Sequence, residues 1–133
     1  LATAIKIGDP VSWPKAELEL RASHGTVEKA TETEIADAKA VIGKCGIGCE
    51  PASAATLAGI RKLRTAGVIG SGENTVALLT GNVLKDPDYV YGYHMGTLKD
   101  LTGNLIAGAF QNKPTVAPND PDVIIKLLEK ASV

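Results

Sequence analysis

The chain has 133 residues, 44% of them apolar and 22% charged, with 14 basic and 15 acidic side chains and a net charge of −1. That is a single domain or a portion of a larger one, long enough to bury roughly two thirds of its unfolded surface. The near-neutral balance, with no basic block, excludes an electrostatic nucleic-acid or membrane-surface partner. No apolar run approaches the roughly 18 residues of a membrane span. Cys45 and Cys49 are the only cysteines, and two do not make a disulfide framework. These features describe a cytoplasmic protein with reduced thiols. The chain opens at Leu1, in mid-pattern and without a signal peptide, as expected of a trimmed chain or a fragment.

Asp9-Pro10 reads as an N-cap followed by proline at the first helical position, and predicts a helix over 10–23 closed by Gly25. Thr26 to Ala30 is a short strand candidate. Thr31 and Glu34 make a capping-box pattern. The helix after it carries Ile35, Ala38, Val41 and Ile42 at helical spacing and stops near Gly43. Cys49-Glu50-Pro51 opens the clearest helix, with Ala54, Leu57, Ile60 and Leu63 on one side and Arg61, Lys62 and Arg64 outside; Gly67 closes it. Thr75 to Thr80 is an apolar run too short for a helix, as expected of a strand covered on both faces. Tyr89 to Thr102 reads as irregular. Leu105 to Phe110 and Thr115-Val116 are further strand candidates. Asn119-Asp120-Pro121 starts a last helix, with a stripe of Ile124, Leu127 and Leu128 running to Val133. The order suits an α/β layer structure: helices around a small, mostly parallel sheet.

Thr80 and Gly81 sit where a central strand of such a sheet offers groups to a ligand. The hydroxyl can donate or accept a hydrogen bond, and the glycine lets a planar ligand approach the backbone. An ordinary strand end before a glycine turn needs the same two residues. Glu50 and Ser53 lie at a helix N-terminus, where free N–H groups favour anions. Spacing alone favours a first-turn stabiliser at Glu50, and Ser53 is as readily a helix-terminus residue as a ligand donor. His24 and His94 have no triad or metal companions in the sequence, and Cys45-x3-Cys49 lacks the second pair a structural zinc needs. Gly46-Ile47-Gly48 is not a phosphate loop, and Gly70-Ser71-Gly72-Glu73 reads as a surface turn. Tyr89, Tyr91 and Tyr93 alternate and would share one face if extended, as a packing stripe or as a partner contact.

Three segments together resemble threonine synthase: 1–13 (Leu-Ala-Thr-Ala-Ile-Lys-Ile-Gly-Asp-Pro-Val-Ser-Trp), 48–55 (Gly-Cys-Glu-Pro-Ala-Ser-Ala-Ala) and 79–87 (Leu-Thr-Gly-Asn-Val-Leu-Lys-Asp-Pro). The resemblance covers about residues 1–90; 91–133 read as a C-terminal extension of a single partial domain, 1–133. It implies the C-terminal part of the large domain of a fold-type-II pyridoxal-phosphate (PLP) enzyme, a lyase of threonine biosynthesis that turns O-phosphohomoserine and water into threonine and phosphate. It assigns cofactor contacts to Thr80, Gly81, Glu50 and Ala4, with Thr3 and Ile5 beside Ala4. Thr80 matches the residue whose hydroxyl faces the pyridine nitrogen. No lysine here matches the family's Schiff-base lysine, and the Asn/Gly loop for the cofactor phosphate has no equivalent. The chain is therefore expected to hold no catalytic residue and no metal, to need the N-terminal part of the enzyme as partner, and to form a homo-oligomer. A free-standing truncated binding module and a threonine dehydratase-like fragment are the alternatives.

Overall fold

The computed structural model describes residues 1–131. A 3-10 turn at Thr3–Ile5 is followed by α1 (Trp13–Ala22), α2 (Glu32–Lys44) and α3 (Pro51–Thr65). A second 3-10 turn at Val83–Lys85 leads into α4 (Pro87–Met95), and α5 (Pro121–Ala131) ends the described chain. The expected continuation of α5 to Val133 lies outside the described residues.

Most helices follow the local signals; α1 departs from them, starting at Trp13 after Ser12 and with Pro14 in its first turn, rather than at Pro10 after Asp9. Thr31 caps α2 through a complete capping box: its side chain accepts from the Glu34 N–H, and Glu34 returns to the Thr31 N–H. Proline occupies the first turn of α1, α3 and α4, where its missing N–H costs nothing. Asp120 accepts from the Asp122 and Val123 N–H groups at the start of α5. At the end of α1 the left-handed residue is His24 (φ 52°), while the Gly25 N–H reaches back to the Leu20 carbonyl.

The core is the crossing of α2 and α3. Ile35, Ala38 and Ile42 of α2 pack on Ala54 and Ala58 of α3 and on Cys49 before it. Small residues let the two backbones approach closely, and Ala38 and Ala54 are completely covered. Leu57, Ile60 and Leu63, expected to lead the apolar face of α3, are only half-buried, and Ala58 is buried in their place. A second cluster joins Ala36 on the other side of α2 to Tyr89 and Tyr93 of α4 and to Ile106.

Two sequence expectations are corrected here. The stretch after Pro87 is a helix, not irregular chain, so the tyrosines do not share a face. Tyr89 and Tyr93, four residues apart, point inward, and Tyr91 points outward. The start and stop signals were present in Asp86-Pro87 and in Gly96, which takes φ 71° at the C-cap. The second correction is larger. The expected strands at 26–30, 75–80, 105–110 and 115–116 form no sheet among the described residues; the one pairing is an isolated antiparallel bridge between Lys99 and Leu105. A strand is stable only when a second extended segment lies alongside at about 4.8 Å. Among the described residues, 75–80 have no such neighbour, and Val76 and Leu78 stand 90% and 73% exposed.

Candidate functional site

The N-terminus of α3 and the end of the 75–80 segment meet through a compact polar cluster. Glu50 is the N-cap of α3 and Ser53 lies in its first turn; both are buried. The Glu50 N–H donates to the Gly81 carbonyl at 3.0 Å. The Ser53 hydroxyl oxygen accepts from the Thr80 N–H at 3.0 Å and the Gly81 N–H at 3.3 Å, and it lies 3.2 Å from the Thr80 hydroxyl. The Thr80 hydroxyl also faces Glu50 Oε1 at 3.4 Å. The other carboxylate oxygen of Glu50 accepts from Lys85 Nζ at 2.8 Å. That hydrogen bond raises the Lys85 pKa, with the charge of Glu50 adding to it.

Gly81 is required by space. A Cβ there would sit 2.1 Å from Glu50 Cδ, far inside any contact distance. Gly48 is constrained in the same way nearby, where a Cβ would meet Val83 Cβ at 2.5 Å. The two segments therefore approach at glycine on both sides.

Thr80, Gly81 and Glu50 are thus brought together. Ala4 is not in the cluster: it is exposed, on the 3-10 turn that packs against α3. Lys85 is the member sequence reasoning missed. Its signal lay in the Leu-Lys-Asp-Pro run, but the ion pair spans 35 residues, beyond any local pattern. Lys39 was missed as well. It is buried in α2 and donates to the Cys49 carbonyl, and burial lowers its pKa despite nearby Cys49 and Asp86. Cys49 is buried and its thiol is pushed up by desolvation; Cys45 is exposed, and both are free.

A second polar knot holds the C-terminal third. Tyr93 donates to Asp37 Oδ1, which also accepts the Ala109 N–H at 3.0 Å. Burial and that bond push the Tyr93 phenol up to about 12. A hollow of about 520 Å³ between α2 and α3 is lined by Glu28, Asp37, Arg61 and Lys62 and contains none of the cluster residues. Among the described residues, no helix is long and apolar enough to cross a membrane.

The cluster offers the hydroxyl of an exposed threonine, held by two long contacts and backed by a buried serine and an ion-paired carboxylate. Such a group suits a small planar acceptor better than a nucleophilic role, because among the described residues no base lies within hydrogen-bond reach of Thr80 except Glu50 at a stretched 3.4 Å.

No family model matches the chain. It is 50% identical over 91 residues to the threonine synthase of Methanosarcina acetivorans, covering 68% of this chain and 22% of that protein. It is 36% identical over 126 residues to the threonine synthase of Halalkalibacterium halodurans, covering 94% of this chain and 31% of that protein. Threonine synthase 2, chloroplastic, of Arabidopsis thaliana is 39% identical over 104 residues, or 78% of this chain and 20% of that protein. Over these stretches the chain is similar to threonine synthases, and it spans between a fifth and a third of the length of these relatives.

Proposed function

We propose that this threonine-synthase segment is the C-terminal piece of the large domain of a PLP-dependent enzyme that converts O-phosphohomoserine and water into threonine and phosphate. One observation carries the reading: Thr80, which the resemblance sets against the pyridine nitrogen, is an exposed residue whose hydroxyl is held only by longer contacts to two buried side chains, Ser53 at 3.2 Å and Glu50 at 3.4 Å. The donor set fits the ring end of that cofactor. Gly81 lets the Glu50 side chain pack directly against the backbone beside Thr80, and Glu50 and Ser53 fix that backbone. When bound, PLP supplies the electron sink for breaking and making the carbon–oxygen bonds. This chain's contribution is the neutral hydroxyl at the ring nitrogen and one wall of the pocket. Ala4, on the 3-10 turn beside α3, belongs to that wall.

The exposed 75–80 segment supports the same reading. In this reading the apolar 75–80 run is one strand of a sheet whose other strands lie in the rest of the enzyme. The phosphate-binding loop and the cofactor-linking lysine belong to that remainder too. The reading assigns the protein to a reducing compartment, the cytoplasm, where the free thiols stay reduced.

The test is an assay of the protein as its source cell makes it. We expect PLP-dependent release of threonine and phosphate from O-phosphohomoserine, with no consumption of threonine. In Thr80→Val, kcat should fall at least tenfold, about 1.4 kcal/mol of transition-state stabilisation. A protein that deaminates threonine and ignores O-phosphohomoserine would belong to the dehydratase alternative. Unchanged turnover in Thr80→Val would remove Thr80 from the site.

A further inference from the structure

The hydrogen-bond count at Ser53 constrains the direction of the protons in the cluster. A serine hydroxyl has one donor and two acceptor positions. Both acceptor positions of Ser53 are taken by backbone, the Thr80 N–H at 3.0 Å and the Gly81 N–H at 3.3 Å. Only its O–H is left, and the Thr80 hydroxyl oxygen lies 3.2 Å away.

We infer that Ser53 is a positioning residue which, by donating its proton to Thr80 Oγ1, turns the Thr80 O–H outward as a donor to an unprotonated ring nitrogen. The inference rests on the reading of Thr80 given above and adds a residue and a polarity to it. With Ser53 donating, the Thr80 proton has one protein acceptor, Glu50 Oε1 at 3.4 Å. That distance is at the outer edge of a useful hydrogen bond, so little is lost when a ligand acceptor replaces it. Lys85 holds the opposite oxygen of Glu50 at 2.8 Å, which keeps the carboxylate turned toward the cluster. A protonated ring nitrogen is a donor and would leave the Thr80 proton on the stretched Glu50 contact. A ring nitrogen with a lone pair takes the proton directly. Ser53 therefore favours the neutral ring from one layer behind it, without touching it.

The experiment uses the protein as its source cell makes it, loaded with PLP carrying nitrogen-15 in the ring. The ring-nitrogen chemical shift reports whether a proton is donated to it. Thr80→Val sets the shift for a ring with no donor. Ser53→Ala should move the shift at least half of the way from the wild-type value to the Thr80→Val value, and Ser53→Thr, which keeps the hydroxyl, should restore it. A wild-type shift in Ser53→Ala, with a displaced one in Thr80→Val, would overturn the role of Ser53 and leave that of Thr80 standing. A wild-type shift in Thr80→Val itself would overturn both. Should Ser53→Ala fail to fold, neutron diffraction on wild-type crystals decides the matter. A deuteron on Ser53 Oγ, between it and Thr80, supports the inference; a deuteron on Thr80 pointing at Ser53 overturns it.

Discussion

The α2–α3 pair and the 75–80 segment are both rich in apolar residues, yet the molecule treats them in opposite ways. Ala38 and Ala54 are fully covered where the two helices cross, while Val76, just before the site, is 90% exposed. The helices make their backbone hydrogen bonds internally and need only one apolar face covered. An extended segment satisfies neither need alone. It requires neighbours on both edges for its N–H and C=O groups and on both faces for its side chains. The site sits at the junction of these two regimes: α3 holds Glu50 and Ser53 rigidly, and Ser53 tethers the end of the extended segment through Thr80 and Gly81.

The contrast breaks most visibly under substitutions that add bulk. Ala54→Leu forces a side chain into a covered crossing and should destabilise the protein by about 3 kcal/mol. Val76→Asp is the matching test for the extended segment. In the isolated 133-residue chain it should change stability by less than about 0.5 kcal/mol, as for an exposed site. In the protein as its source cell makes it, the same substitution should cost about 3 kcal/mol, because a buried unpaired carboxylate would result if 75–80 is a covered strand. Urea unfolding of both forms measures the difference, and equal small effects in both would show that nothing covers the segment.

Gly81→Ala comes next, aimed at the junction itself. Its Cβ would overlap Glu50 Cδ, and relieving that overlap should cost about 2 kcal/mol. Cofactor affinity, followed by titration, should fall with it. Gly72→Ala, whose Cβ would meet nothing within 4 Å, is the control and should be silent in both measurements.

The smallest effect concerns the start of α2. Thr31→Ala removes the cap and should cost about 1 kcal/mol. Its pH signature follows from Glu34, whose pKa the Thr31 N–H bond lowers below its ordinary 4.5. A carboxyl lowered in the folded state contributes stability above its unfolded pKa and loses it as pH falls through the folded one. Thermal melts should therefore show wild-type stability declining as pH drops below 4.5, partly through this group. Glu34→Gln should flatten that portion of the slope only slightly, since the pair is exposed and screened.

Much of the helical frame was legible in the chain because its signals are local. Thr31 and Glu34 announce α2, Pro51 announces α3 and Asp120-Pro121 announces α5. The α4 helix carried equally local signals, but the alternating tyrosines suggested an extended piece. The sheet could not be settled from these residues, since pairing depends on what lies alongside the run. In the site, Glu50 and Thr80 were visible through their motifs. The partners that give them meaning were not: the Lys85 ion pair and the double acceptance by Ser53 bridge about thirty residues and exist only once α3 meets the 75–80 segment.

The most direct measurement is a crystal structure, with PLP bound, of the protein as its source cell makes it. The Thr80 hydroxyl should lie within about 3.2 Å of the ring nitrogen, with residues 75–80 paired in a sheet and Ser53 still holding the Thr80 and Gly81 N–H groups. A cofactor seated elsewhere, with Thr80 turned back on Glu50, would contradict the assignment of this cluster as the ring-nitrogen end of the site.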